Sequence, residues 1–117
     1  LYNVNINVDN FGTNNAKGDI SALSNKSYLS AVSLSYCNVT GNIDSLAGNI
    51  NLTEIGIAST AIEGSIESFA SKQISAGRTS GTVLFRAENS RVMYNGQILK
   101  KRINVTYNQN SYSVADA

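Results

Sequence analysis

A six-residue phrase that recurs at a fixed spacing constrains the fold of this chain more than any other feature. Its three copies read GDISAL, GNIDSL and GSIESF, and they begin at Gly18, Gly41 and Gly64. Both steps are 23 residues. A fixed period of this size is typical of solenoid proteins, in which each repeat forms one unit that buries its apolar face against the next.

A second pattern of apolar residues precedes each phrase. Apolar residues occupy positions 1, 4 and 6 of every unit, as in Leu29, Val32 and Leu34. This pattern resembles the leucine-rich repeat, L-x-x-L-x-L-x-x-N/C-x-L, and the trailing G-x-I-x-x-L is most similar to its long form with L-x-G-x-I-P. The resemblance spans residues 1–69. It implies that the N/C positions form a structural ladder, which here consists of Asp9, Cys37 and Thr60.

The resemblance implies an α/β solenoid: a short right-handed leucine-rich-repeat coil with parallel β-strands and a C-terminal β-hairpin cap. We predict the coil over residues 1–81, and the last strand plus the cap over residues 82–117 of the same folding unit. Apolar spacing predicts an amphipathic helix over 65–77. Asn95-Gly96 between apolar runs predicts a hairpin, since both turn positions require positive φ.

Composition excludes several classes of function. Charged residues make up only 15% of the 117 residues, and the chain has no histidine and one cysteine, Cys37. A single cysteine forms neither an internal disulfide nor a zinc cluster, and without histidine it lacks the usual activating base. No apolar run reaches the length of a membrane helix. We therefore expect no metal, no cofactor, no catalysis and no membrane insertion. Because the chain begins at Leu1, we expect that it was processed or cut from a longer protein.

Charge is distributed unevenly along the chain. Residues 1–69 contain two basic and six acidic side chains, whereas residues 70–117 contain seven basic and two acidic ones. Such asymmetry indicates either two halves with different roles or head-to-tail contacts between copies.

Two acids, Asp44 and Glu67, are one repeat apart at the same phase. Carboxylates about 5 Å apart are typical of retaining glycosidases, and neighbouring acids also bind calcium. Both residues fall in the first turn of a helical segment, where the helix dipole favours a negative charge. We favour this structural interpretation.

Between the buried strand residues, small polar residues form a strip on the predicted concave surface. Solenoids usually bind partners on this surface. The strip is small and neutral, and its centre lacks the aromatic and arginine residues that dominate binding energies. Its candidate ligand-binding residues are Asn5, Asn7, Ser33, Ser35, Gly56 and Ala58, flanked by Tyr36 and Glu54.

The basic run Lys100-Lys101-Arg102 is a second candidate site. It is either a solvated strand end that blunts a sheet edge or a docking patch for an acidic partner. Three basic residues without interleaved aromatics do not indicate nucleic-acid binding.

Three segments together resemble repeat modules in surface and virion proteins of gut bacteria and their tailed phages: GDISAL, AGRTSGT and VMYNG. The resemblance implies a non-catalytic module on a cell or particle surface that binds protein or glycan. The alternative is a structural capping or oligomerisation module within a longer fibre or capsid-associated protein. A weakly charged surface rich in Asn, Ser, Thr and Gly is consistent with an extracellular location.

Overall fold

Short strands joined by tight turns make up most of the chain. The structure, a computed structural model, describes the backbone of residues 2–5 and all of residues 17–117. Its strands are β1 Tyr2–Asn5, β2 Lys17–Asp19, β3 Leu29–Ser33, β4 Asn38–Thr40, β5 Glu54–Gly56, β6 Glu63–Ser65, β7 Thr82–Arg86, β8 Arg91–Tyr94, β9 Gln97–Ile98, β10 Ile103–Asn108 and β11 Ser111–Asp116. Two 3-10 helices span Ile20–Leu23 and Ile43–Leu46, and one α-helix, α1, spans Ile66–Ser75.

The predicted amphipathic helix is confirmed as α1. Ser65 caps its N-terminus, because the Ser65 hydroxyl accepts a hydrogen bond from the Ser68 amide at 3.2 Å. The helix ends before Gly77, whose φ of 107° suits glycine. Its buried face includes Ile66, Phe69 and Ala70.

The largest sheet contains strands of both directions. Its order is β1-β3-β5-β7-β10-β11. The first four strands are parallel to one another, whereas β10 is antiparallel to both β7 and β11. Ser33 pairs with Gly56, and Gly56 pairs with Arg86. The repeat period therefore sets the register between β3 and β5, because these partners are 23 residues apart.

Two smaller sheets accompany the large one in the described part of the chain. Strands β2 and β4 form a parallel pair, and β6, β8 and β9 form a sheet in which β8 is parallel to β6 and antiparallel to β9. The β8–β9 hairpin confirms the turn predicted at Asn95-Gly96, and both residues have positive φ, 54° and 79°.

The predicted fold class, a leucine-rich-repeat coil closed by a hairpin cap, is wrong. The chain forms a small β-rich fold with mixed sheets and one α-helix in its described residues, and these sheets are not arranged as a repeat coil. The alternating residues of the C-terminal segment form two antiparallel strands, of which β10 hydrogen-bonds directly to β7, with Ile103 opposite Phe85. The sequence repeat fixed local register without fixing the fold class. The division at residue 81 stays a prediction.

Apolar side chains from α1 and the large sheet meet in one core. Phe69 and Phe85 are fully buried, and their rings contact edge to face with centroids 5.1 Å apart. Aromatic pairs favour this geometry because the positive ring edge of one faces the negative π-cloud of the other.

Small polar residues close the turns beside this core. The Thr60 hydroxyl donates to the Ile57 carbonyl at 2.7 Å and accepts from the Ile62 amide at 3.3 Å. Cys37 occupies the same position one repeat earlier and is buried, and burial raises the pKa of its thiol. The third predicted ladder residue, Asp9, lies outside the described residues.

Ser90 repeats the arrangement of Thr60 in the next turn. Its hydroxyl donates to the Ala87 carbonyl at 2.7 Å and accepts from the Val92 amide at 3.2 Å. The 23-residue repeat does not reveal Ser90, because α1 lengthens this unit and places Ser90 30 residues after Thr60.

A group of three buried polar residues, Asn49, Gln73 and Arg78, connects successive turns; we call it the buried polar cluster. The Asn49 amide donates to the Leu23 carbonyl at 2.8 Å, and its oxygen accepts from the Lys26 amide at 2.6 Å. Gln73 donates to the backbone carbonyl of Asn49 at 3.1 Å. Asn49 and Gln73 have no exposed surface, so these bonds replace their lost hydration.

Arg78 completes the buried polar cluster and is 6% exposed. Its guanidinium donates to the Leu52 carbonyl at 2.7 Å, to Gln73 Oε1 at 3.1 Å and to the Ser80 carbonyl at 3.0 Å. The guanidinium carbon also lies 4.7 Å from the centre of the Tyr107 ring, a cation–π contact. Burial lowers the pKa of Arg78, and these partners compensate the charge.

Candidate functional site

A polar pocket of about 210 Å³ lies at the carboxyl ends of the parallel strands β3, β5 and β7. We call it the strand-end pocket. The turns that follow the strands supply most of its wall. It is lined by Ser33, Ser35, Tyr36, Ala58, Arg86, Glu88 and Arg102.

The predicted ligand-binding strip falls partly in this pocket. Four of its residues, Ser33, Ser35, Tyr36 and Ala58, line the wall. Gly56 is buried between the paired Ser33 and Arg86 positions.

The other strip residues lie beside the pocket or outside the described side chains. Glu54 approaches the pocket through its ion pair with Arg86. Asn5 pairs through its backbone with Ser33, but its side chain lies outside the described part. Asn7 lies outside the described residues altogether.

The sequence patterns did not predict two of the pocket residues, Arg86 and Glu88. We expected a neutral strip without arginine, but the strip continues onto β7, where Arg86 follows Gly56 in register. Extending the strand pattern by one more strand would have placed Arg86 on the strip. Glu88 follows that strand by two residues.

Both arginines of the pocket have a glutamate near Nε, and Arg86 Nε itself makes no hydrogen bond among the described residues. Arg86 Nε lies 3.8 Å from Glu54 Oε2, and Arg102 Nε lies 3.5 Å from Glu88 Oε2. The arginine side chains are 42% and 52% exposed. Such exposed pairs contribute little to stability. Among the described residues, no hydrogen bond occupies the Nη atoms of either arginine.

Tyr36 stands at the mouth of the pocket in an unusual conformation. The residue is 61% exposed, and its φ is 64°. Ser59 and Asn89 occupy the corresponding turn positions with φ of 55° and 59°. Left-handed backbone costs about 1 kcal/mol for an ordinary residue, and asparagine or glycine accommodates it more easily.

Backbone hydrogen bonds, not the tyrosine ring, hold this turn. The Tyr36 amide donates to the Ala58 carbonyl at 2.8 Å, and the Ser59 amide donates in the same way to the Glu88 carbonyl at 2.9 Å. The Ser35 hydroxyl accepts from the Ala58 amide at 3.1 Å. Tyrosine at this position therefore strains the backbone of the turn, and its exposed ring does not help to hold the turn.

The three residues of the basic run, Lys100, Lys101 and Arg102, do not line the same surface depression. Arg102 lines the strand-end pocket, whereas Lys101 forms an exposed ion pair with Asp116 at 2.8 Å. Lys100 and Lys101 line a different depression of about 360 Å³, next to Ile98 and Val114.

Asp44 and Glu67 lie in the first turns of the second 3-10 helix and α1, as predicted. Asp44 accepts from the Ser68 hydroxyl at 2.9 Å, and Glu67 accepts from the Asn95 amide at 2.8 Å. Burial alone would raise the pKa of Glu67, but hydrogen bonds from its own amide, the Asn95 amide and the Ser65 hydroxyl lower it. Each carboxylate therefore has a partner on a neighbouring element, although Asp44 Oδ1 is buried without a hydrogen bond among the described residues.

The rest of the described chain adds no metal or membrane feature. The side chains of residues 17–117 contain no cluster of three potential metal ligands. In the same part of the chain, no helix has the length and apolar character needed to cross a bilayer. No protein-family model, curated protein or solved structure matches this chain.

Proposed function

We propose that this protein is a non-catalytic recognition module that binds protein or glycan through the strand-end pocket. The observation that carries the proposal is Tyr36, an exposed aromatic side chain in a strained turn at the mouth of a polar pocket. Strained backbone persists where the surrounding structure holds it, and it is concentrated at functional sites. Tyrosine and arginine are also the residues most enriched at binding hot spots.

The proposed location is a cell or particle surface. The low content of charged residues and the abundance of asparagine, serine and threonine support it. In this setting, the pocket recognises a partner by shape and hydrogen bonding, without a chemical step.

The substitution Tyr36→Asn tests the role of the pocket. Asparagine accommodates positive φ, so the variant should be as stable as the wild type or more stable by up to about 1 kcal/mol. On an array of bacterial surface glycans, the labelled wild type should bind and the variant should lose most of its signal. A urea titration of both proteins separates loss of binding from loss of folding.

Ser59→Asn is the matched control, because Ser59 occupies the corresponding turn but does not line the pocket. This variant should keep wild-type binding. Bound glycans whose signal is unchanged by Tyr36→Asn would show that recognition takes place elsewhere on the protein.

A second candidate function is assembly into a longer fibre or capsid-associated structure. Strand β11 lies at the end of the large sheet, and its outer edge pairs with no other described strand. Its six-residue pairing with β10 is regular, without the bulge or proline that commonly protects an edge. The acidic first half and basic second half of the sequence would favour head-to-tail contact.

Sedimentation velocity distinguishes the two candidates. An assembly module should form oligomers whose mass grows with protein concentration and falls as salt screens the charges. A monomer at all salt concentrations would remove this second candidate and leave the recognition module.

A further inference from the structure

We infer that the ligand of the strand-end pocket is an anionic saccharide, whose acidic group binds Arg86 and Arg102 while a sugar ring stacks on Tyr36. This inference rests on the proposed function and specifies its ligand. It follows from three properties of the pocket: unoccupied guanidinium nitrogens, a free hydroxyl donor, and an exposed aromatic face.

The two arginines present unoccupied donors to the pocket. Each guanidinium approaches a glutamate through Nε, and the Nη atoms bond to no described residue. Arginine binds carboxylate and other oxyanions through two parallel N–H donors, so Nη donors are suited to an acidic ligand. The pocket wall holds one acid, Glu88, against these two bases, and a second acid, Glu54, pairs with Arg86 from beside the pocket.

The register of the sheet brings the two positive charges close together. Ile103 pairs with Phe85 in antiparallel strands, so one further step places Arg102 opposite Arg86. Like charges directly opposite each other destabilise a sheet. Glu54 and Glu88 offset part of this repulsion from beside each Nε, and an anion bound to the Nη atoms would offset more of it, whereas a neutral ligand would not.

The remaining wall favours a sugar over an acidic peptide. Ser35 Oγ accepts from the Ala58 amide, and its own proton has no acceptor among the described residues. This proton is available to a ligand hydroxyl. Tyr36 offers an exposed ring on which the C–H face of a sugar can stack. Apart from Tyr36, the wall has only one apolar residue, Ala58, and therefore no apolar recess for peptide side chains.

The test compares acidic polymers with their neutral forms. Polygalacturonate, alginate and a sulfated galactan are titrated against the full chain, together with carboxyl-reduced polygalacturonate and polyglutamate. We expect at least one acidic polysaccharide to bind. Removal of its acidic groups should weaken binding roughly 10- to 100-fold, because hydrogen bonds to a charged group contribute about 1.5–3 kcal/mol. The carboxylated and sulfated arms show which acidic group is preferred.

Arg86→Gln and Arg102→Gln should each weaken binding of that polymer about tenfold or more. Arg91→Gln is the matched control: it removes the same charge from an exposed residue that lines a different depression. Its binding should stay within about twofold of the wild type. A loss of equal size in Arg91→Gln would indicate non-specific attraction and overturn the inference.

Other outcomes separate this inference from the proposed function. If neutral glycans bind as well as acidic ones and Tyr36→Asn still abolishes binding, the inference fails and the recognition module stands. Stronger binding of polyglutamate than of every polysaccharide would assign the pocket to an acidic protein. If no polymer binds and the glycan array also shows no Tyr36-dependent signal, both proposals fail.

Discussion

Arg78 and Arg86 illustrate two ways in which one residue type is used in this molecule. Arg78 is 6% exposed and donates to two backbone carbonyls and a side-chain amide. Arg86 has a side chain that is 42% exposed, a distant ion pair and Nη atoms without partners among the described residues. The first has its hydrogen bonds satisfied within the protein, and the second retains donors for a ligand.

The difference shows that hydrogen bonding distinguishes two kinds of polar residue in this fold. Residues whose donors and acceptors are paired within the protein stabilise the structure, and residues with unpaired donors are candidates for ligand binding. The buried polar cluster of Asn49, Gln73 and Arg78 joins turns from successive repeats, so each bond stabilises the protein itself. In the strand-end pocket both arginine side chains are partly exposed, and their ion pairs add little stability. Mutations in the two regions should therefore produce opposite profiles of folding and binding.

The largest expected effect comes from Arg78→Met. Methionine fills similar space but leaves the Leu52 carbonyl, the Ser80 carbonyl and Gln73 Oε1 without their donor, so the free energy of unfolding should fall by about 3 kcal/mol. Arg86→Gln should change it by less than about 0.5 kcal/mol. Urea unfolding midpoints measure both changes. A similar loss of stability in the two variants would contradict the structural difference between Arg78 and Arg86.

A smaller effect of opposite sign is expected for Tyr107→Phe. The Tyr107 hydroxyl is buried without a hydrogen-bond partner among the described residues, and burial raises the pKa of this tyrosine although the Arg78 charge opposes the shift. Removing an unsatisfied buried hydroxyl while keeping the ring should raise the free energy of unfolding by about 1 kcal/mol at neutral pH. Unfolding in urea checks this value.

The same variant has a distinct signature at alkaline pH. Because the pKa of Tyr107 is higher in the folded state than its ordinary value of 10.0, the unfolded state loses this proton first. Wild-type stability should therefore fall as pH rises above about 10, and Tyr107→Phe should lose stability less steeply. Parallel curves for the two proteins would show that Tyr107 does not contribute.

The smallest expected effect concerns Glu67, a carboxylate that is satisfied by the protein but lies near the surface. The pKa of Glu67 is lowered in the folded state, so the charged form stabilises the protein above its ordinary pKa of 4.5. This contribution should be lost as pH falls below about 4.5, and Glu67→Gln should be less sensitive to acid over that range. Thermal unfolding between neutral and acidic pH measures the difference, and Glu63→Gln is the control, because Glu63 is exposed and its side chain has no hydrogen bond or ion pair among the described residues.

Local structure was predictable wherever neighbouring residues decide it. The helix α1 follows from apolar spacing with a serine cap, and the hairpin at Asn95-Gly96 follows from two residues that accept positive φ. Part of the candidate site was predictable for the same reason. Ser33 ends a recognisable strand, and Ser35 and Tyr36 lie at fixed positions after it.

The rest of the site depends on pairing between distant segments. Arg86 and Glu88 enter the pocket because β7 pairs with β5, and Arg102 enters because β10 turns back against β7. The buried polar cluster was also missed, since Asn49, Gln73 and Arg78 have no spacing that distinguishes them from surface residues.

The sequence by itself determined the 23-residue register, which aligns β3 with β5, and the turns and helix that depend on local residues. Only the tertiary structure decided the fold class and the composition of the pocket. The physical reason is that a repeat fixes how like segments stack. The direction of the C-terminal strands, and therefore the mixed large sheet, depends on hydrogen bonds between segments that share no sequence pattern.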